Sequence, residues 1–140
     1  MIPLNFGLWW SGAKLSYLRY LTFKSLRYFH PHSRIQLFTC KQFSKENSGI
    51  SDQEFLLPCH ITKDYTPMLR ELGVEVVNVN NLAFLSKLLP YQQADAYRWF
   101  FLRDQGGIYL DPDQIILKSF KGLPLNKYKF IFTLYLYHLE

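Results

Sequence analysis

The sequence predicts an α/β domain with a mixed, mostly parallel sheet flanked by helices, and three observations carry that expectation. Short apolar runs rich in β-branched and aromatic residues alternate with segments of helical period. The first two such runs bracket an amphipathic segment, a strand, helix, strand order that favours a parallel, right-handed crossover. Further on, Gly106 and Gly107 separate a second helical pattern from a short apolar strand that runs directly into Asp111 and Asp113.

Residues 2–10 are mostly apolar and aromatic, which predicts a first strand buried on both faces and ended by Ser11 and Gly12. From Ala13 to Phe29, Leu15, Leu18, Thr22, Leu26 and Phe29 recur at helical spacing, with Lys24 and Arg27 expected to face away, and Pro31 stops the helix. Arg34–Thr39 predicts a second short strand. Residues 41–60 lack periodicity and predict a long surface loop. Tyr65–Leu72 predicts a short helix capped by Gly73, and Val74–Val79 a strand. Asn80 and Asn81 predict a turn, followed by an apolar connector ending at Pro90. Gln92–Gln105 predicts a helix, with the two glycines suited to positive φ at its C-cap. Ile108–Leu110 predicts a short buried strand, Ile115–Leu117 an extended segment, and Phe130–Leu139 a last strand.

The chain has 140 residues, a hydrophobic fraction of 49% and room for one core, so a single domain is expected over residues 1–140. Every apolar stretch is interrupted well short of the roughly 20 residues needed to cross a bilayer, so at most peripheral membrane contact is expected. The N-terminus lacks a basic region and a small-residue cleavage site. Cys40 and Cys59 lack the spacing of a metal or redox site and predict free thiols. The expected location is cytoplasmic, at most against the inner face of the membrane. The net charge of +5 is spread over Lys14, Arg19, Lys24, Arg27 and Arg34 among tyrosines and leucines, the pattern of a solvated helix face rather than a nucleic-acid site. His30, His32, His60 and His138 have no spacing that argues for zinc.

Asp111 and Asp113 concentrate the chemistry. Two residues apart on an extended chain they would point the same way, roughly 6.5 Å apart along the strand, at a strand end, where open α/β sheets bind ligands. Like charges so close favour a cation between them, and a hard divalent ion prefers oxygen ligands. Asp-Pro-Asp is equally the composition of a type I turn. In the preceding helix Asp95 and Arg98 share a face, as an ion pair or as the lining of a cleft among the apolar Ala94, Ala96, Trp99, Phe100 and Phe101.

The run from Ala94 to Asp113, with Asp95, Arg98, the hydrophobic helix, Gly106-Gly107-Ile108-Tyr109-Leu110 and then Asp111-Pro112-Asp113, resembles the signature of glycosyltransferases with a DXD sugar-binding region. Ile2-Pro3, Trp10-Ser11-Gly12, Tyr17-Leu18-Arg19-Tyr20 and His30-Pro31 are similar to the family's first strand, helix and turn. The chain departs from the family pattern at Asn5, Gly7, Pro112 and Gln114, and it ends sooner than family catalytic domains do, as a C-terminally incomplete member would. The resemblance implies a GT-A-like, Rossmann-type fold and transfer of a hexose from a nucleotide sugar, a UDP-sugar or GDP-mannose, to a glycan or lipid-linked acceptor, with retained configuration. It implies Asp113 as a ligand of Mn²⁺ or Mg²⁺, Asp111 at the metal shell or ribose, Asp95 and Arg98 on sugar hydroxyls, Gly107 in the substrate site and Trp10 stacked on the base; for both Trp9 and Trp10 a place in the core is the competing reading.

Two other readings stay open at this point. Ile108–Asp113 is similar to the nucleophile motif of haloacid-dehalogenase-type phosphatases, in which the first Asp attacks phosphorus and the second acts as acid and base. That motif requires a Lys and further acids downstream, and Glu140 is the sole acid after Asp113. A basic binding module using Arg19 and Arg27 against polyanions would bind in a salt-sensitive, metal-indifferent way.

Overall fold

A computed structural model describes residues 2–12, 14–40, 63–79 and 84–129. The expected loop at 41–60, the turn at Asn80 and Asn81, the strand at 130–139 and residues Cys59, His60 and His138 lie outside the described residues. Four parallel strands form one sheet: β1 (Phe6–Trp9), β2 (Ile35–Thr39), β3 (Glu75–Asn78) and β4 (Ile108–Tyr109), in the order β3-β2-β1-β4. Helix α1 (Tyr17–Phe29) links β1 to β2, and α2 (Pro90–Asp104) precedes β4. The α/β alternation and the parallel sheet match the expectation. No helix among the described residues is long and apolar enough to cross a membrane.

Strand β1 lies between β2 and β4 with α1 packed on one face of the sheet and α2 on the other, which is why its side chains are buried without alternation. Phe6, Leu8 and Trp10 join Leu15, Phe23 and Leu26 on the α1 face, together with Ile35, Leu37, Leu69, Leu110 and Ile116. Trp9 projects to the other face, where it packs with Phe38, Tyr97 and Phe101 beneath α2. Gly7 lies on this second face as well: a Cβ there would be 2.8 Å from three atoms of the Phe101 ring. Thus the glycine that departs from the family pattern makes room for a phenylalanine of α2.

The α1 register differs from the expectation. Arg19, Thr22, Phe23 and Leu26 are buried, whereas Leu18 is 50% exposed. Arg19 fits inside because its guanidinium lies 4.0 Å over the Trp10 ring, an arrangement that period counting cannot register. Lys24 does face solvent, but Arg27 does not simply do so: it donates to the carbonyls of Leu72, Gly73, His30, Pro31 and Ser33, closing the C-terminal end of α1. Ser16 caps the N-terminus by accepting from the Arg19 N–H.

The short helix expected near 65–72 is a 3-10 helix at Thr66–Leu69, and Leu85–Lys87 forms another inside the apolar connector. Helix α2 starts two residues before the expected boundary because Pro90 occupies its first turn, where a missing N–H costs nothing. The Gln92 side chain accepts from the Leu89 N–H at 3.0 Å there. Ile115–Leu117 joins no sheet, and the Ile116 N–H is held by a side chain of α1. Gly106 and Gly107 have φ of 66° and 109°, the left-handed region expected at this cap.

Candidate functional site

The site is built where α2 crosses the carboxyl end of β4. Along β4 and the residue after it, alternation sends Ile108 and Leu110 to the α1 face and Tyr109 to the α2 face. Asp111 follows on the α2 side and meets Arg98, whose Nη2 donates to Oδ1 at 3.2 Å and to Oδ2 at 3.5 Å. The same Nη2 lies 3.5 Å from Oδ1 of Asp95, one helical turn earlier. Asp95, Arg98 and Asp111 are therefore one cluster, although 13 residues separate the last two.

Tyr109 supports it. The Arg98 guanidinium lies 4.9 Å over the Tyr109 ring, and the Tyr109 hydroxyl donates to the Ala94 carbonyl at 3.4 Å. Sequence reasoning passed over this residue, yet the signal was present: two positions before Asp111 in an extended chain, it had to share the acid's side. Arg98 Nε is buried without a hydrogen-bond partner among the described residues, as is Trp9 Nε1 on the same face of the sheet. A buried polar N–H without a partner is costly.

Asp111 and Asp113 do not extend side by side along a strand. Pro112 and Asp113 form a turn, as the composition Asp-Pro-Asp allows, so the two carboxylates are not set by the spacing of an extended chain. Asp111 is half-buried, while Asp113 is exposed and makes no hydrogen bond or ion pair with another described residue. Burial pushes the Asp111 carboxyl above its usual range; Arg98 opposes that shift, and the negative charges of Asp113 and Asp95 add to it. The two acids of the turn are thus electrostatically coupled.

This donor set fits a hard divalent cation. Both groups offer carboxylate oxygens, and the charge repulsion on Asp111 is what a cation would relieve. Among the described residues no group of three or more His, Cys, Asp or Glu is clustered for a metal, so an ion held by this pair would complete its shell from water and a ligand's phosphates, as Mg²⁺ commonly does.

Gly107 and Trp10, for which the resemblance implies substrate contacts, each have defined surroundings within the protein. A Cβ at Gly107 would lie 2.4 Å from the Asn5 carbonyl oxygen, which accepts the Ile108 N–H, so close backbone approach is what requires glycine here. Trp10 is 7% exposed; its Nε1 donates to the Lys14 carbonyl and Arg19 covers its ring. Of the two tryptophans, Trp9 is the one on the α2 face.

Thr22 and Ser25 of α1 were also missed. The Thr22 hydroxyl donates to the Pro112 carbonyl at 2.9 Å, between the two acids, and Ser25 Oγ accepts the Ile116 N–H at 3.0 Å. Ninety residues separate Thr22 from Pro112 and 91 separate Ser25 from Ile116, and no local signal announces such contacts.

The fold is shared with a solved structure, PaToxG Glycosyltransferase, at a TM-score of 0.60 and 18% identity over 85% of this chain. The chain spans 45% of that protein. No curated protein matches it. The model of the family described as glycosyltransferase sugar-binding region containing DXD motif matches residues 18–130, which include all of α1 but its first residue, all of α2, and Asp95, Arg98, Asp111 and Asp113. On that match the chain belongs to the glycosyltransferase family with a DXD-containing sugar-binding region.

Proposed function

We propose that this domain binds a nucleotide-sugar donor, a UDP-sugar or GDP-mannose, and serves transfer of its hexose to a hydroxyl of a glycan or lipid-linked acceptor. The reading is carried by the juxtaposition of Asp95, Arg98 and Asp111, linked through one guanidinium nitrogen at 3.5 and 3.2 Å beside the exposed Asp113.

In this reading Asp111 and Asp113 hold Mn²⁺ or Mg²⁺ through their carboxylate oxygens. The cation, when bound, supplies Lewis-acid stabilisation of the charge that develops on the diphosphate leaving group. Arg98 and Asp95 orient the sugar: the guanidinium offers donors and Asp95, on the exposed side of the helix, offers acceptors to its hydroxyls. Tyr109 keeps Arg98 in place beneath the site. Departure of the nucleoside diphosphate with the bonding electrons leaves an oxocarbenium-like sugar, to which the acceptor oxygen bonds while its proton passes to an oxygen of the departing diphosphate. Retained configuration follows from the family resemblance alone.

Calorimetric titration with UDP-sugars and GDP-mannose, with and without Mn²⁺, tests the reading. Donor binding that requires Mn²⁺ and is lost in Asp113→Ala is expected. Binding indifferent to both would overturn it.

A further inference from the structure

The DXD turn is clasped from behind by two consecutive-turn side chains of α1, and we infer that Thr22 and Ser25 are positioning residues for Asp111 and Asp113. The inference rests on the metal-binding reading of those two acids and adds residues to it that lie on the opposite face of the sheet.

The geometry begins with a single hydrogen. A threonine hydroxyl has one O–H to donate, and inside a helix it commonly returns it to a carbonyl of the preceding turn. Thr22 is fully buried and donates instead to the Pro112 carbonyl at 2.9 Å. That carbonyl and the Asp113 N–H belong to one planar peptide unit, so holding the oxygen fixes the plane from which Asp113 departs. The pyrrolidine ring of Pro112 already restricts φ on the other side.

Three residues along the same helix face, Ser25 holds the far end of the segment. Its Oγ accepts the Ile116 N–H at 3.0 Å and donates to the Thr22 carbonyl at 2.9 Å, so the two clasping side chains are themselves joined. Pro112 and Ile116 are both buried, and between them Asp113 is exposed. The acid with no partner of its own among the described residues therefore sits on a short span pinned at both ends. Pre-organisation of this kind removes the cost of ordering a ligand group when a cation binds.

Titration of the isotope-labelled chain with Mn²⁺, followed by paramagnetic broadening of backbone NMR signals, tests the inference. In the wild-type chain, signals of Asp111 and Asp113 are expected to broaden first, and in Asp113→Ala that selectivity is lost. Thr22→Val, which keeps shape and removes the O–H, should require three- to tenfold more Mn²⁺ for the same broadening. Thr22→Ser, which keeps the O–H, should return to within twofold of wild type. A role confined to stability would lower the thermal midpoint of Thr22→Val while its folded population kept wild-type Mn²⁺ sensitivity, and that result would overturn the inference. Should Thr22→Val not fold, Ser25→Ala carries the same test with the same expected direction. Absence of selective broadening in the wild type sinks the metal reading and the inference with it, whereas wild-type broadening with unchanged variants sinks the inference alone.

Discussion

Arg98 Nη2 lies 3.2 Å from Oδ1 of Asp111 while also reaching Asp95, so a single guanidinium bridges an acid of α2 and an acid that follows β4. This bridge joins the helix to the sheet at the point where the strand ends. It also makes the protonation of Asp111 depend on Arg98, because the positive charge opposes the upward shift that burial imposes.

Arg98→Gln should therefore move the Asp111 titration to still higher pH, measured by carboxyl carbon NMR. Burial raises the folded-state pKa, so the charged acid costs folding stability above that pKa, and the cost is relieved as pH falls toward the unfolded value. Cation binding runs the other way. Mn²⁺ affinity should fall on acidification at a pH above the ordinary Asp value of 3.8, and at a higher pH again in Arg98→Gln. A midpoint at or below 3.8 would contradict this.

Gly107→Ala should destabilise the fold by on the order of 3 kcal/mol, from positive φ combined with a backbone clash that no rotamer can relieve. The added Cβ would meet the Asn5 carbonyl oxygen at 2.4 Å. Urea unfolding measures the loss; a change under about 0.5 kcal/mol, the range of a neutral surface substitution, would show that β1 and β4 separate without penalty.

Gly7→Ala should cost about 1–3 kcal/mol by overpacking. The atoms in the way belong to the Phe101 ring, which can be shortened. In a double-mutant cycle with Phe101→Leu, the combined loss should be smaller than the sum of the single losses, since each change relieves the other. Strict additivity would place the clash elsewhere.

Asp64 ties the start of α1 to the short 3-10 helix that follows it in the chain. Its Oδ1 accepts from the Leu15 N–H, the Thr66 N–H and the Thr66 hydroxyl. Burial alone would raise this carboxyl, but the hydrogen bonds together hold it below its usual value. A depressed folded-state pKa contributes stability that is present above the unfolded value and lost as pH falls through the folded one. Asp64→Asn should cost about 1–2 kcal/mol near neutral pH and flatten the loss of stability below pH 3.8, seen by thermal unfolding at several pH values.

The chain's own order of residues determined the alternation of strands and helices, the buried character of β1, the glycine cap after α2 and the acids beyond β4. Each is encoded within one element: period, branching, a proline at a helix start, a glycine where φ must be positive. The pairing of Asp95 with Arg98 was also legible, since three residues on a helix share a face. Folding alone decided which indole faces α2, because a shift of one residue along a strand exchanges the two faces of the sheet. It decided that Arg19 goes inside, since Trp10 supplies a ring for its charge. It decided too that Asp111 is half-buried against Arg98 while Asp113 is exposed on a turn held by Thr22, ninety residues away. Contacts between distant segments depend on how whole elements pack, and neither propensity nor spacing within a segment carries that information.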